Sequence, residues 1–238
     1  MLAIKPTTVL LCLLLSFITA TPSRADTHAL FLKGVKDVVK LHLSGGRIYE
    51  GQVVPCIING KQDACFEGKG VFTLPNGYRY EGEFKNSKPN GKGKFKSRGN
   101  ARYVGGFKNG MLDGQGVRFY ADGRHYEGNY EDNQRHGFGV MTYRDGSQYS
   151  GEFKNDKRDG YGIMTHPDGR RYEGGYKNNM RDGYGVMTYQ DMGLYQEGSR
   201  YEGEFKNDQR HGQGVMIYLD DGRRLVGEFK ENVFIGMQ

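Results

Sequence analysis

The sequence predicts an elongated all-β array of repeated two-strand units, on three observations. First, Tyr80, Tyr103, Tyr126, Tyr149 and Tyr172 open successive copies of one motif at a constant step of 23 residues; Tyr49 and Tyr201 open two more, and Leu225 a truncated last one. A fixed period of this size marks an array in which each unit buries its apolar side on its neighbours. Second, each copy alternates strictly. Counting the opening Tyr as zero, even positions carry Tyr, Gly and Phe or Tyr (Tyr149, Gly151, Phe153), while odd positions carry charge (Arg200, Glu202, Glu204, Lys206). Period two puts aromatic groups on one face of a strand and ionic groups on the other. Third, 238 residues at 36% hydrophobic content, with 38 glycines and no tryptophan, are too polar for one thick core. The 17 Tyr and 13 Phe nonetheless supply more apolar surface than a disordered chain carries.

The chain starts outside this pattern. Residues 1 to 25 read as a secretory signal: Lys5 in the n-region, Val9 to Ile18 as the apolar run, and Ser23-Arg24-Ala25 before a mature start at Asp26. As a helix the apolar run covers only about half of a roughly 30 Å hydrocarbon core, which favours cleavage over anchoring. Cys12 lies inside the run rather than ending it as a lipoprotein cysteine would. Export to a periplasmic or extracellular compartment is expected. Residues 26 to 40 read as a cap hiding the end of the array, either a short amphipathic helix or an irregular strand; periodicity does not decide. The array is expected over residues 41 to 238, where LHLSGGRIYEG from Leu41 aligns with MTYRDGSQYSG from Met141.

Within a unit, YEGEF-type and GVMTY-type runs read as strands bounded by polar clusters, and recurrent glycines disfavour a helix. Gly137 and Gly139, Gly160 and Gly162, Gly183 and Gly185, and Gly212 and Gly214 recur at fixed offsets. They are expected to leave backbone bare for a ring from a neighbouring strand. Tyr143, Tyr189 and Tyr218 follow on the same strands and are expected to extend a row of rings. The main row is Tyr80, Phe84, Tyr103, Phe107, Tyr126, Tyr130, Tyr149, Phe153, Tyr172, Tyr176, Tyr201 and Phe205. Two roles stand for it, the packed side of the ribbon and a binding groove; rings at strand spacing more often pack.

Two insertions break the period. The first, between Tyr49 and Tyr80, falls in the hairpin's internal loop and holds Cys56 and Cys65. With Gly60-Lys61 as a two-residue turn, the cysteines fall directly opposite each other at a non-hydrogen-bonded site, within disulfide reach. In an exported chain a disulfide is the expected state, contributing about 2–3 kcal/mol by loop entropy. Free thiols or metal ligands are the alternatives, and no His or Cys cluster completes a metal site. The second insertion, Asp191 to Ser199, clusters Met192, Leu194 and Tyr195; it is a binding loop or a tolerated surface insertion.

The charge limits partners. Removing the signal takes away Lys5 and Arg24 and lowers the formal charge from +6 to +4, far from a nucleic-acid footprint. Arg135, Arg158, Arg181 and Arg210 share one repeat position, and Lys85, Lys108, Lys154, Lys177 and Lys206 another, so cationic ladders could meet anionic phospholipid. Asp113, Asp159 and Asp182 follow in the same loops and Glu residues fill the neighbouring strand positions, so most of this charge is expected to pair locally, leaving a self-neutralising face. No catalytic site, metal site or cofactor is expected. His136 and His211 share a loop position and His166 replaces the usual Tyr, without nucleophile or ligand spacing; Gly91-Lys92-Gly93-Lys94 occupies ordinary repeat glycines, not a phosphate loop. At the C-terminus Val233, Phe234 and Ile235 stand where earlier units are polar, beside an unpaired edge, and are expected to pack on a second copy or fold back.

YEGEFKNDQRHGQGVMIY, from Tyr201 to Tyr218, resembles the MORN repeat, typically YEGEWKNGKRHGKGVYTYPDG. The resemblance covers about four-fifths of the chain, from Leu41 on. Phe or Tyr replaces the usual Trp, the first unit is irregular, an insertion follows Tyr189, and Val104 and Val226 stand where Glu is usual. The resemblance implies an elongated antiparallel β-meander, a single-layer twisted ribbon used as a scaffold, often dimerising near its C-terminal repeats, with phospholipid association proposed for some members. The function expected is a non-enzymatic exported scaffold binding a protein partner along its surface, with peripheral binding to anionic phospholipid as the alternative.

Overall fold

The computed structural model describes residues 38–58, 61–189 and 198–236. The signal segment, the cap before Val38, Gly60 of the expected turn and residues 190–197 of the second insertion lie outside the described residues. The described residues form antiparallel β-strands joined by turns, with a 3-10 turn at Ser44–Gly46. The strands of the first half are β1 (Val39–Leu43), β2 (Arg47–Ile58), β3 (Lys61–Thr73), β4 (Arg79–Lys85), β5 (Lys88–Lys96), β6 (Arg102–Lys108), β7 (Met111–Phe119) and β8 (His125–Glu131). Then follow β9 (Gln134–Thr142), β10 (Gln148–Lys154), β11 (Lys157–Thr165), β12 (Arg171–Lys177), β13 (Met180–Tyr189), β14 (Ser199–Lys206), β15 (Gln209–Tyr218), β16 (Arg224–Lys230) and β17 (Val233–Gly236). From β1 to β7, and again from β9 to β17, each strand pairs with the next in sequence, the pattern of a β-meander. The contacts divide the chain into two units: residues up to Ala121 with Asn129–Gln134, and Asp122–Gly128 with Arg135 onward.

The expected polar clusters are mostly strand. His136 and His211, expected in loops, lie in β9 and β15. Only two residues connect the strands of a hairpin, for example Asn155 (φ 49) and Asp156 (φ 67) between β10 and β11. Positive φ at both central residues defines the type I′ turn, which matches strand twist, and Asn and Asp tolerate it.

Alternation is interrupted by a bulge in each hairpin. Gly151 pairs Gly162 but Phe153 pairs Arg158, so three residues of β11 face one of β10. Gly160 sits there at φ 110, and Gly137, Gly183 and Gly212 are likewise left-handed. These four therefore serve backbone conformation and do not receive rings as expected. Gly139, Gly162, Gly185 and Gly214 do: a Cβ at each would lie 2.2–2.4 Å from the hydroxyl of Tyr126, Tyr149, Tyr172 and Tyr201 respectively.

The first insertion is not a loop. Its residues lengthen β2 and β3 to 12 and 13 residues. Lys61, expected in the turn, instead pairs with Ile58. The register is consequently displaced from the expected one: Cys56 faces Asp63 and Cys65 faces Val54. The two cysteines, diagonal rather than opposite, are disulfide-bonded with Cα atoms 5.8 Å apart.

Candidate functional site

One face of each unit is filled by the aromatic row. Tyr80, Tyr103, Tyr126, Tyr149, Tyr172 and Tyr201 are at most 2% exposed, and Phe84, Phe107, Tyr130, Phe153, Tyr176 and Phe205 are also buried. Within each unit the rings of this row meet edge-on. In the second unit the centroid separations run Tyr126–Phe153 5.1 Å, Phe153–Tyr149 5.1 Å, Tyr149–Tyr176 5.1 Å and onward to Tyr201–Phe229 5.0 Å. Such T-shaped pairs add about 0.5–1.5 kcal/mol each beyond burial. The phenols are satisfied locally: the Tyr149 hydroxyl donates to the Glu152 carbonyl at 3.0 Å, and Tyr80, Tyr172 and Tyr201 repeat the bond three residues on. Burial pushes these phenols up, to about 12 for Tyr176 and Tyr201. The row is core, sealed from ligands along most of its length. Tyr143, Tyr189 and Tyr218 are only half-buried, at the strand ends two residues beyond the buried Met141, Met187 and Met216.

The arginines lie against this row. Arg135 stacks over Tyr126 and Phe153 (5.7 and 5.1 Å to the centroids), and Arg158, Arg181 and Arg210 repeat the arrangement. Their partner is the second turn residue of the following hairpin. The Arg135 backbone N–H and Nε both donate to Asp156 Oδ1 (3.0 and 2.9 Å), and Nη2 donates to the Asp156 carbonyl at 2.6 Å. Arg181 does the same with Asp208. In return the Asp156 N–H donates to the Arg135 carbonyl at 3.0 Å. This reciprocal staple recurs in the first unit, where Ser87 and Asn133 accept from the N–H groups of Phe66 and Leu112. Pro89 has no N–H to offer, and its turn partner Gly110 has no side chain to accept one, so nothing is left unpaired there.

Arg158 and Arg210 differ. Their turn partners are Asn179 and Asn232, whose Oδ1 atoms accept the backbone N–H at 2.9 Å while the carbonyls accept Nη2. Among the described residues neither guanidinium has a carboxylate. Arg158 lines a cleft of 210 Å³ floored by Met164, Met187, Tyr172 and Tyr176 and rimmed by His166, Arg170, Arg181 and the Asp208 carboxylate that Arg181 holds. Arg170 is paired with Asp168 at 2.8 Å and Arg181 with Asp208 at 3.1 Å. The His166 Nδ1 lies 3.0 Å from the Ser147 hydroxyl. The ladder lysines Lys154, Lys177 and Lys206 are exposed on β10, β12 and β14.

The opposite pleat of the second unit carries a feature the sequence reading missed. Phe138, Tyr161 and Tyr184 are 57%, 52% and 64% exposed at one repeat position in three successive hairpins. Each stands between two glycines, on the side of the strand away from the buried rings. The signal was present as a recurring aromatic between the Gly-x-Gly pair, at the same offset from the opening Tyr in three successive copies. The Tyr161 hydroxyl donates to the Glu173 carboxylate. At the last strand, Val233 and Ile235 are exposed (61% and 54%), whereas Phe234 packs on Phe229 at 5.2 Å. Among the described residues, no group of His, Cys, Asp and Glu could hold a metal ion.

The MORN repeat family model matches residues 66–77, 80–102, 103–123, 126–148, 149–170, 172–191 and 201–223, more than half of the chain. The chain belongs to the MORN-repeat family. No curated protein matches it. Among solved structures, it is similar to the TCP domain of SAS-4 (dCPAP) of Drosophila melanogaster in complex with a proline-rich motif of Ana2 (dSTIL). That likeness has TM-score 0.39 and 10% identity, covering 75% of this chain and 90% of that one. The wild-type TCP10 domain of Danio rerio CPAP gives TM-score 0.29 and 14% identity, covering 80% and 94%. A point mutant of that domain gives 0.34 and 15%, covering 83% and 91%. These likenesses are too slight to carry an argument about function. The MORN repeats themselves make a repeat-based binding role the general expectation for the array.

Proposed function

We propose that the protein is a non-enzymatic, exported scaffold that binds a protein partner on the open pleat of its second unit. The observation that carries this reading is the exposed row Phe138, Tyr161 and Tyr184. Three aromatic side chains repeated in successive hairpins have nothing to pack on within the unit, and rigid aromatics are the preferred anchors of protein interfaces. Spaced by two strand separations, about 10 Å each, they span roughly 20 Å, the scale of an interface core. The inward row cannot take this role because its rings are consumed by one another and by the arginines. Export is supported by the apolar leader and by the Cys56–Cys65 disulfide, which persists in oxidising compartments. Anionic lipid competes for the cationic positions and is tested with them below.

Chemical crosslinking in the native compartment tests the reading. The variant F138S/Y161S/Y184S is expected to fold with an unchanged melting temperature, since all three side chains are exposed, and to lose at least about tenfold of the crosslinked partner species. An unchanged set of crosslinked species would remove the open pleat from consideration, and recovery of the protein with both Cys56 and Cys65 as free thiols would remove export.

A further inference from the structure

The four arginines of the second unit share one position and one stacking geometry, yet they divide into two electrostatic kinds. In Arg135 and Arg181 the Nε hydrogen goes to an Asp carboxylate. At Arg158 and Arg210 the equivalent turn residue is the neutral Asn, whose Oδ1 accepts the backbone N–H but not the Nε hydrogen. The Nε of each is left without an acceptor among the described residues, and the positive charge without a counter-charge. Replacing Asp by its neutral isostere keeps the staple and frees a cation; the first turn residue stays Asn at Arg158 (Asn178) and is Glu231 at Arg210.

At Arg158 this cation opens onto the cleft of 210 Å³, whose floor of two tyrosine rings and two methionines suits the methylene stem of a side chain. The other two arginines on its rim are already ion-paired, so Arg158 is where an incoming anion finds an unused donor. Arg210 lies two hairpins along, four strand spacings or about 19 Å away, with the neutralised Arg181–Asp208 pair between. The geometry points to a binding site for an extended acidic peptide, which places one carboxylate on Arg158 in the cleft and a second on Arg210. An extended chain advances about 3.3 Å per residue, so the two acids stand about six residues apart and on the same side of the peptide. A lipid surface would engage the exposed lysines equally and would not distinguish free from paired arginines. The site is on the pleat opposite to the exposed aromatic row, and its success or failure is independent of that surface.

The substitutions that test it copy neighbouring repeats and therefore preserve the fold. Fluorescence anisotropy of a labelled twelve-residue peptide of Ser and Ala with Glu at its third and ninth positions is measured on the full chain. Asn179→Asp and Asn232→Asp, which give Arg158 and Arg210 the carboxylates that Arg135 and Arg181 already hold, are each expected to weaken binding about tenfold. Asp208→Asn, which frees a third cation, is expected to hold or strengthen it, and F138S/Y161S/Y184S to leave it unchanged. The same peptide with Gln for Glu is expected not to bind. No binding of the Glu peptide by the parent chain, or affinities of N179D and N232D within twofold of the parent, would overturn the proposal. So would sedimentation with phosphatidylserine vesicles that N179D abolishes while the peptide fails to bind, because the free cation would then serve a lipid headgroup.

Discussion

Raising the pH above about 10 is expected to unfold the protein in one steep step rather than to titrate its buried tyrosines gradually. Tyr49, Tyr80, Tyr103, Tyr149, Tyr172, Tyr176 and Tyr201 all have phenols raised above the ordinary value of 10.0, with burial the largest cause in each. Nearby carboxylates raise several further, Glu83 at Tyr80 among them. A phenol ionises to an anion, so a raised folded value means that the native state resists losing the proton. Below about pH 10 each ring is neutral in both states and its contribution is complete. Above it the unfolded chain ionises and the folded chain does not, which lowers stability by about 1.4 kcal/mol per pH unit for each ring until the folded value is passed. Tyr149, Tyr172, Tyr176 and Tyr201 belong to the second unit, so that unit alone loses roughly 5 kcal/mol per pH unit, against typical domain stabilities of about 5–15 kcal/mol. The loss of β-sheet circular dichroism should coincide with the ionisation of the buried phenols, after the exposed tyrosines have contributed their share of phenolate absorbance. Full phenolate absorbance from all 17 tyrosines while β-sheet signal persists would show that the rings are accessible and the buried row is wrong.

Gly162→Val is expected to be the most damaging single substitution in the second unit. A Cβ at Gly162 would lie 2.4 Å from the Tyr149 hydroxyl oxygen and 2.5 Å from two ring carbons. The ring cannot swing away, because its hydroxyl is tied to the Glu152 carbonyl and its edge is held between Phe153 and Tyr176. Displacing it opens the row on both sides, at a cost of about 3 kcal/mol or more. For a unit of roughly a hundred residues that is a fall in melting temperature of about 15 °C. Gly183→Ala is the contrasting variant: nothing lies within 4 Å of its Cβ position, and its φ of 89° costs only about 1–2 kcal/mol of left-handed strain. Thermal melts that rank the two substitutions in the opposite order would show that conformation, not ring contact, sets the glycine requirement.

Much of the fold was legible because its rules are local. A 23-residue step, a two-residue alternation and glycine offsets need no knowledge of distant partners, so the opening tyrosines could be assigned to the inward face from the sequence alone. Errors arose where two local signals competed. Gly160 and Gly162 look alike in the sequence, but one carries a bulge and the other a ring, and only the register of β10 against β11 separates them. The cysteine register failed because Lys61, assigned to the turn, pairs with Ile58 in the sheet, which moves the partner of Cys56 by two places. The candidate site was less legible. Arg135 and Asp156 are 21 residues apart, one in a strand and one in the next turn.

By itself the sequence determined the repeat, the strand faces and the aromatic row, since backbone periodicity dictates which side chains share a face. Only the tertiary structure decided which charges are spent and which are free. That depends on how the turn of one hairpin meets the strand of the one before it. There the difference between Asp208 and Asn179, a single atom in the side chain, separates a neutral staple from an open cation.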